Sequence, residues 1–281
     1  MNLATLTAAA LSLGAAALWG GGDFAGGIAT KRASVFRVVA AAHACGLLFM
    51  LLLAWLTHEP VPSHASLQWG LFAGVAGAFG IAALYQALAI GRMGIVAPVA
   101  SVITAILPVL VGIRTEGMPD RIQLAGFVLA LASIWLVARP AGEIDSHRGL
   151  GLAVLAGVLF GLFLVAGKQA GHGGVFWPLV AARSASTLLM LVIVAFLPRD
   201  PRPLRAALVP ILLSGLLDSA ANAMFIAATR HGRLDVAAVL SSLYPASTVI
   251  LARVLLKERL SVTQNVGIVG ALVSVALIST R

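Results

Sequence analysis

The chain has 281 residues, of which 60% are hydrophobic and 10% are charged, and its formal net charge is +9 at pH 7. Soluble domains average about 45–50% apolar and about 25% charged residues, so this composition excludes a soluble globule as well as a disordered chain. The one cysteine, Cys45, excludes an intramolecular disulfide framework and cysteine clusters for zinc or iron–sulfur groups.

Runs of about 20 apolar residues, the length that crosses a bilayer core as a helix, recur along the chain. They predict an all-α integral membrane fold with ten transmembrane helices, because the alternating pattern of a β-barrel is absent. The predicted segments are 4–26, 35–57, 68–90, 94–115, 120–138, 150–171, 176–197, 206–229, 235–256 and 262–279. Basic residues lie mostly in the short gaps between these runs, which is typical of membrane topology and not of nucleic-acid binding.

The chain repeats itself at half its length. A gapless shift of 141 residues matches a series in 123–136 to identical residues in 264–277, and it also places Ser101 on Ser242. We therefore predict two five-helix repeats, 1–141 and 142–281. Because five is odd, the second repeat enters the membrane from the opposite side. Such inverted repeats are common in secondary transporters, whose substrate site lies at the repeat interface near the bilayer midplane.

Several motifs resemble EamA domains of the drug/metabolite transporter superfamily. Leu-Ser-Ser-Leu-Tyr-Pro at 240–245 and Lys-Glu-Arg-Leu-Ser at 257–261 resemble the closing signature of the domain. The stretch at 18–24 resembles the Trp-Gly motif of its first helix, and Pro98 and Pro108 lie where the family carries prolines in its fourth helix. The resemblance covers essentially the whole chain. It implies ten helices, export or exchange of small metabolites, often amino acids, and no covalent cofactor.

The chain also departs from the family pattern at two places. Asp23 stands where many members carry Asn, and the first-repeat counterpart of the Glu-Arg-Leu-Ser hinge has become Gly-Met-Pro-Asp at 117–120. Asp23 either neutralises the neighbouring basic pair Lys31-Arg32 or lines the pathway. The sequence leaves these two roles open.

Ionisable residues inside the predicted spans are the best pointers to a site. Each costs roughly 2.5–3.5 kcal/mol at a helix centre on insertion scales, so it generally faces a cavity or a partner. Asp218 lies in mid-span with Asn222 one turn later, and it is predicted as a substrate-amine contact or a proton-coupled carboxylate, with a packing ion pair as the alternative. Arg183 is predicted to pair with Asp218 or to hold a substrate carboxylate, with snorkelling to the interface as the alternative. Lys168 is predicted to snorkel.

Other polar and aromatic residues are predicted to complete a cavity. His43 either titrates near neutral pH and gates transport or is a hydrogen-bonded packing residue. The remaining predicted cavity residues are Trp19, Tyr85, Gln86, Ser241 and Tyr244.

Segments four and nine are predicted as gating helices, because Pro98 and Pro108 share one face of the former and Pro245 lies in the latter. A proline within a helix removes a backbone hydrogen bond, kinks the helix and leaves a carbonyl free to bind substrate or to flex. Gly-x-x-x-Gly spacings predict close helix packing and could also support a dimer. They occur at Gly22/Gly26, Gly70/Gly74 and Gly157/Gly161.

The motifs of ATP binding, zinc proteolysis and serine hydrolysis are missing, so we predict neither an enzyme nor a cofactor or metal site. The predicted function is a secondary transporter of small organic metabolites, with amino acids or their analogues first and export favoured. One half would move against the other around a central cavity. The alternative is a flippase for lipid-linked cargo or a non-catalytic flippase subunit. The predicted partners are a small-molecule substrate and the lipids of a bacterial-type plasma (inner) membrane, without nucleic acid, and the chain is a monomer or homodimer.

Orientation stays open at this point. Both termini are predicted on one side, because ten is an even number of spans. Lys and Arg between spans are more frequent on the opposite face, and by the positive-inside rule this favours termini outside the cytoplasm. The family resemblance implies cytoplasmic termini.

Overall fold

The computed structural model describes residues 3–90, 93–137, 149–198, 202, 204–256 and 261–278. This part of the chain is helical, with eleven α-helices, two short 3₁₀ turns and no strand. The α-helices are α1 Leu3–Thr30, α2 Val35–Leu56, α3 His64–Ile90, α4 Met93–Glu116, α5 Arg121–Val137, α6 Leu150–Ala170, α7 Phe176–Phe196, α8 Leu208–His231, α9 Leu234–Ser241, α10 Tyr244–Leu256 and α11 Val262–Ile278.

Seven of these helices, α1 to α4 and α6 to α8, are long and apolar enough to cross a membrane. The helices α5 and α11 are equally apolar, but each has 17 described residues. At 1.5 Å per residue they reach about 25 Å, slightly less than a bilayer core of about 30 Å. The predicted all-helical, multi-pass membrane fold is therefore confirmed.

The ninth predicted segment, 235–256, is not a single helix. It is divided into α9 and α10 by a break at Ser242 and Leu243, with Pro245 in the first turn of α10. Proline has no N–H to bond to the carbonyl four residues earlier, which is that of Ser241 at the end of α9, and its ring crowds that carbonyl, so the chain ends one helix and starts another. The expectation of one continuous gating helix was therefore wrong, and the proline produces a full break.

A serine from another helix occupies a carbonyl released by this break. The N–H of Ala246 bonds to the Leu243 carbonyl at 2.9 Å, one residue short of the α-helical partner Ser242. The free Ser242 carbonyl accepts a hydrogen bond from the Ser101 hydroxyl of α4 at 2.9 Å. Ser101 and Ser242 are equivalent under the 141-residue shift. Helix α4 and the break between α9 and α10 thus meet at matching positions of the two repeats.

The two sequence halves are interleaved. The most extensive contacts pair a helix of one half with a helix of the other, namely α1 with α8, α3 with α6, α5 with α11, α4 with α6, α3 with α7 and α2 with α7. Most of them lie within two packed groups, the α1–α8 group (α1, α2, α8, α9 and α10) and the α3–α6 group (α3, α4, α6 and α7), which meet each other through α2 with α7 and α4 with α9. The expectation that one sequence half moves against the other does not fit this packing, because separating the halves would open both groups.

The contact between α5 and α11 is made twice, with the roles exchanged. A Cβ on Gly126 would lie 2.7 Å from the Ile278 side chain, and a Cβ on Gly267 would lie 2.7 Å from the Val137 backbone nitrogen. The 141-residue shift relates Gly126 to Gly267 and Val137 to Ile278. Because the start of each helix meets the end of the other, the two equivalent helices run antiparallel at a separation that only glycine permits.

The predicted Gly-x-x-x-Gly packing is confirmed for two of the pairs. A Cβ on Gly70 of α3 would lie 2.5 Å from the Pro178 carbonyl of α7, and a Cβ on Gly157 of α6 would lie 2.7 Å from the Ala100 carbonyl of α4. Such spacings bring backbones into direct contact. These contacts hold the α3–α6 group together from within.

Both ends of the described chain lie at the same end of the bundle. The start of α1 packs on the end of α8, where a Cβ on Gly232 would lie 2.6 Å from the Cβ of Ala8. The end of α11 lies beside the start of α5, where the Gln123 amide donates to the Ile278 carbonyl at 3.4 Å. Arg233, which follows α8, donates to the Gly117 carbonyl shortly before α5 at 2.6 Å. We call this the terminal end.

The α5–α11 contact can be tested with one methyl group. Gly267→Ala is expected to lower the free energy of unfolding by about 1–3 kcal/mol, because overpacking a close contact forces the neighbouring atoms to move. Gly151→Ala in α6 is the matched control, since a Cβ there has nothing within 4 Å. Thermal unfolding in detergent compares the two variants with the parent chain. Equal melting temperatures for both variants would contradict the close approach.

Candidate functional site

A cavity of about 850 Å³, counted with the open space at its mouth, lies between the α1–α8 group and the α3–α6 group. Both groups and both sequence repeats contribute to its wall. Six of the residues predicted from the sequence line it, and they are Trp19, His43, Arg183, Asp218, Asn222 and Tyr244. The predicted polar groups of distant segments therefore converge on one space.

The structure does not bring every predicted residue to this cavity. Ser241 is buried in α9, where its hydroxyl donates to the Ala237 carbonyl of its own helix at 2.6 Å, and Gln86 is exposed on α3. Pro108 is buried in α4 outside the cavity lining, and Pro245 is part of the α9–α10 break. The side chains of Tyr85 and Pro98 lie outside what the structure describes.

Asp218 and Arg183 form an ion pair across the cavity. Asp218 lies near the middle of α8 and Arg183 two turns into α7, so the pair links the α1–α8 group to the α3–α6 group. The amide nitrogen of Asn222 approaches the same Asp218 oxygen at 3.4 Å. The Arg183 side chain is 8% exposed and that of Asp218 is 27% exposed. Each charge thus meets an opposite charge where water is scarce, which limits the cost of burying both.

Asp23 provides a second carboxylate on the same wall. A Cβ on the preceding residue, Gly22, would lie 3.3 Å from the backbone nitrogen of Asp218, so α1 and α8 are in close contact here. Asp23 and Asp218 both line the cavity and a smaller adjoining one of about 350 Å³. Arg32, which the sequence offered as a neutralising partner, donates instead to the Ala206 carbonyl at 3.2 Å.

The opposite wall is aromatic. Phe160 and Phe163 of α6 line the cavity, and they lie three residues apart and so share one face of the helix. On the other side the Trp19 ring packs on the Phe225 ring, with centroids 5.9 Å apart. Phe160 and Phe163 could not be predicted from the sequence, because a phenylalanine in an apolar helix gives the same pattern whether it faces lipid or a cavity.

His43 lies inside α2 on the cavity wall. Its side chain is buried, and its Nδ1 atom has no hydrogen-bond partner among the described residues. The Arg183–Asp218 ion pair lines the same cavity as His43. An imidazole nitrogen left open in this way can take a ligand or water, which is a role beyond simple packing.

A second group of charged residues lies at the terminal end. We call this group, which consists of Glu116, Lys168, Arg233 and Asp235, the terminal-end ion cluster. Lys168 forms an ion pair with Glu116, so the expectation of a snorkelling lysine was wrong. Arg233 holds Asp235 in a two-point contact, with Nε at 3.0 Å from Oδ1 and Nη2 at 2.7 Å from Oδ2.

The terminal-end ion cluster also joins the two packed groups. Arg233 donates to the backbone carbonyl of Glu116 at 3.0 Å, and the Glu116 carboxylate accepts the Leu234 N–H at 3.1 Å. Glu116 and Lys168 belong to α4 and α6, whereas Arg233 and Asp235 lie at the start of α9. Sequence reasoning missed the cluster because its members are separated by up to 119 positions, the interval from Glu116 to Asp235.

Comparison with known proteins agrees with this architecture. The sequence pattern of the EamA-like transporter family matches residues 6–139 and, a second time, residues 147–280. No curated protein matches the sequence. One solved crystal structure, described only as that of a protein, is similar with a TM-score of 0.79 and 18% sequence identity, over 96% of this chain and 95% of its own. At that identity the similarity shows the fold alone.

The Arg183–Asp218 ion pair is expected to contribute measurably to the stability of the fold. Arg183→Gln is expected to lower the free energy of unfolding by about 3–5 kcal/mol, because it leaves the Asp218 charge uncompensated. The double variant Arg183→Gln/Asp218→Asn should recover much of that loss, since neither charge remains. Melting temperatures of the parent, both single variants and the double variant form the cycle that measures the coupling. Additive losses in the double variant would show that the two groups act independently.

Proposed function

The chain belongs to the EamA-like transporter family, and we propose that it is a secondary transporter that moves small organic metabolites by alternating access. Amino acids or their analogues are the proposed cargo and export the proposed direction, across a bacterial-type plasma membrane. The observation that carries this proposal is the central cavity, whose charged and aromatic walls come from both repeats. A site of this kind at a repeat interface is typical of secondary transporters.

We also propose ten spans in two inverted repeats, 1–141 and 142–281. In this arrangement α9 and α10 together form the ninth span, and α5 and α11 are the fifth and tenth. The antiparallel contact of the equivalent helices α5 and α11 supports the inverted relation. So does the Ser101–Ser242 bond, in which equivalent residues of the two repeats meet each other.

The moving parts are proposed to be the two packed groups. Among the described residues, the polar links between the α1–α8 group and the α3–α6 group include the terminal-end ion cluster, the Arg183–Asp218 pair and the Ser101–Ser242 bond. Separating the groups at the terminal end would expose the cavity on that side. Closing them there while opening the other end would expose it on the opposite side.

The two ends differ in charge. The 141-residue shift places Glu116 on Lys257 and Asp235 on Gly94, so the equivalent positions at the other end carry no acid. Arg233 falls on Arg92, and both Arg92 and Lys257 lie outside the described residues. Attraction therefore favours closure of the terminal end, and the repeat-equivalent positions at the other end cannot reproduce it, because they lack the two acids. The terminal-end ion cluster is proposed as the latch of one state.

Asp218 is the proposed site of proton coupling. Its neighbours are Arg183, which pairs with it, Asn222 on the same helix, and Asp23 and His43, which line the same cavity. Protonation of Asp218 would remove the charge that holds Arg183, and so would loosen a link between the two groups. No feature of the described residues favours the alternative of a flippase for lipid-linked cargo.

Counterflow in proteoliposomes tests transport and coupling together. Liposomes loaded with an unlabelled mixture of amino acids and their amines should accumulate one labelled class, and a pH gradient should change the rate. Asp218→Asn should abolish the response to the gradient, because the titrating group is gone, while the variant still elutes as a folded monodisperse protein. An unchanged response in folded Asp218→Asn would rule out Asp218 as the coupling site.

The latch can be tested by access from the terminal end. In a Cys45→Ala background, Thr104→Cys places a thiol on the cavity wall, and a membrane-impermeant maleimide is applied from each side. Glu116→Gln is expected to raise the labelling rate from the terminal end several-fold, about the effect of losing one partly buried ion pair worth about 1 kcal/mol.

Asp120→Asn is the control for the latch, because it also removes one negative charge at the terminal end. Asp120 caps α5 by accepting the Ile122 and Gln123 N–H groups, at 2.8 Å and 2.9 Å, and asparagine caps a helix about as well. The same labelling rate in Glu116→Gln and Asp120→Asn would mean that the terminal-end ion cluster does not control access.

A further inference from the structure

We propose that Asp23 is the cation-binding group of the cavity and that the cargo is an organic cation: a protonated amine on an aromatic or apolar body, without a free carboxylate. This inference rests on the proposed transport function and narrows its substrate class. Among amino-acid analogues it selects amines, amides and esters over the zwitterions themselves.

Asp23 is the carboxylate that nothing in the described part of the chain neutralises. Among the described lining residues the carboxylic acids are Asp23 and Asp218 and the guanidinium is that of Arg183, which already pairs with Asp218. Asn222 also directs its amide to Asp218. The Asp23 carboxylate has neither a hydrogen-bond donor nor a basic side chain against it within the described residues. The described lining therefore contains one more acidic side chain than it can pair with a basic one.

An unmatched carboxylate inside a membrane protein is costly to keep. On insertion scales a charge at a helix centre costs about 2.5–3.5 kcal/mol, and such groups generally face a partner or a pathway. A cargo with a single positive charge would make the cavity neutral. A zwitterion would bring a second carboxylate into a space whose guanidinium is already occupied, so its negative end would lie among like charges.

The surroundings of Asp23 fit the rest of such a cargo. Trp19 precedes Asp23 by four residues and so lies on the same face of α1, and both line the cavity. Phe160 and Phe163 form the opposite wall, and Tyr244 also lines the space. Aromatic faces attract organic cations by about 0.5–2 kcal/mol each. A carboxylate beside aromatic rings thus offers an ionic contact for the amine and apolar surface for the body.

A smaller space adjoins the cavity. Asp23 and Asp218 lie in its wall as well, so both carboxyl groups border two neighbouring spaces. An amine held at Asp23 would have its body in the larger, aromatic one.

Calorimetric binding to the purified full-length chain in detergent tests the inference directly. The probes are three amines, each matched to its amino acid: phenethylamine with phenylalanine, tyramine with tyrosine, and tryptamine with tryptophan. At least one amine should bind at least about tenfold more tightly than its amino acid, which corresponds to about 1.4 kcal/mol. Tighter binding of the amino acid in all three pairs, or no binding of any amine, would overturn the inference.

Variants then assign the binding to Asp23. Asp23→Asn should weaken the amine about ten- to hundredfold, the range for loss of a hydrogen bond to a charged group. Asp23→Glu should restore part of the affinity, and Asp120→Asn, which removes one negative charge far from the cavity, should leave it unchanged. Trp19→Leu provides a second variant without a change of charge and should weaken the amine several-fold through the lost aromatic face. Parent-like amine affinity in folded Asp23→Asn would contradict the proposal.

Counterflow separates this inference from the proposed function. Amines that bind through Asp23 but do not exchange across liposomes would support the cation site and contradict a transporter. Amino acids that exchange at the same rate in the parent and in Asp23→Asn would support a transporter and contradict the cation site. Exchange of an amine that is lost in Asp23→Asn and kept in Asp120→Asn is the result expected from both.

Discussion

A bilayer gives charged groups no water, so a charge buried among these helices is costly unless an opposite charge or a polar group lies against it. The Arg183–Asp218 pair satisfies this requirement, and in doing so it joins the two packed groups across the cavity. The terminal-end ion cluster does the same at one end of the bundle. Charge pairing therefore supplies both the polar surface of the cavity and the links that a transport cycle has to break. Asp23, which remains unmatched, is where a ligand with a positive charge would complete the set.

Interleaving of the repeats follows from small residues as much as from charge. Lipid tails are as apolar as leucine side chains, so helices in a membrane associate through close packing and not through exclusion of water. Gly126 and Gly267 allow α5 and α11 to meet backbone to backbone, and Gly70 and Gly157 do so within the α3–α6 group. Because each of the largest contacts joins the two halves, neither half has a core of its own. A relative motion of the α1–α8 and α3–α6 groups keeps the contacts inside each group and moves α2 against α7 and α4 against α9, whereas a motion of sequence halves would break all of the largest contacts.

Much of the fold could be predicted because a helix crosses a bilayer only if it is long and apolar enough, and both properties can be seen in the sequence. Helix positions agree closely with the predicted segments, and the predicted residues Trp19, His43, Arg183, Asp218, Asn222 and Tyr244 reach one cavity. Rarity made these residues visible, since a polar or bulky group in an apolar run stands out. The same reasoning gave a wrong prediction for Ser241. A serine hydroxyl can bond to its own helix, as that of Ser241 does to the Ala237 carbonyl. Lys168 was misread because its partner Glu116 lies in a different helix.

By itself the sequence determined a helical membrane protein, its internal duplication and the family to which it belongs, because these depend on composition, run length and motif order. The tertiary structure alone decided which charges meet. It pairs Arg183 with Asp218, leaves Asp23 facing the cavity and assembles the terminal-end ion cluster from α4, α6 and α9. The physical reason is that pairing depends on distance in space, and helices that follow each other in this chain pack mainly against helices of the other repeat.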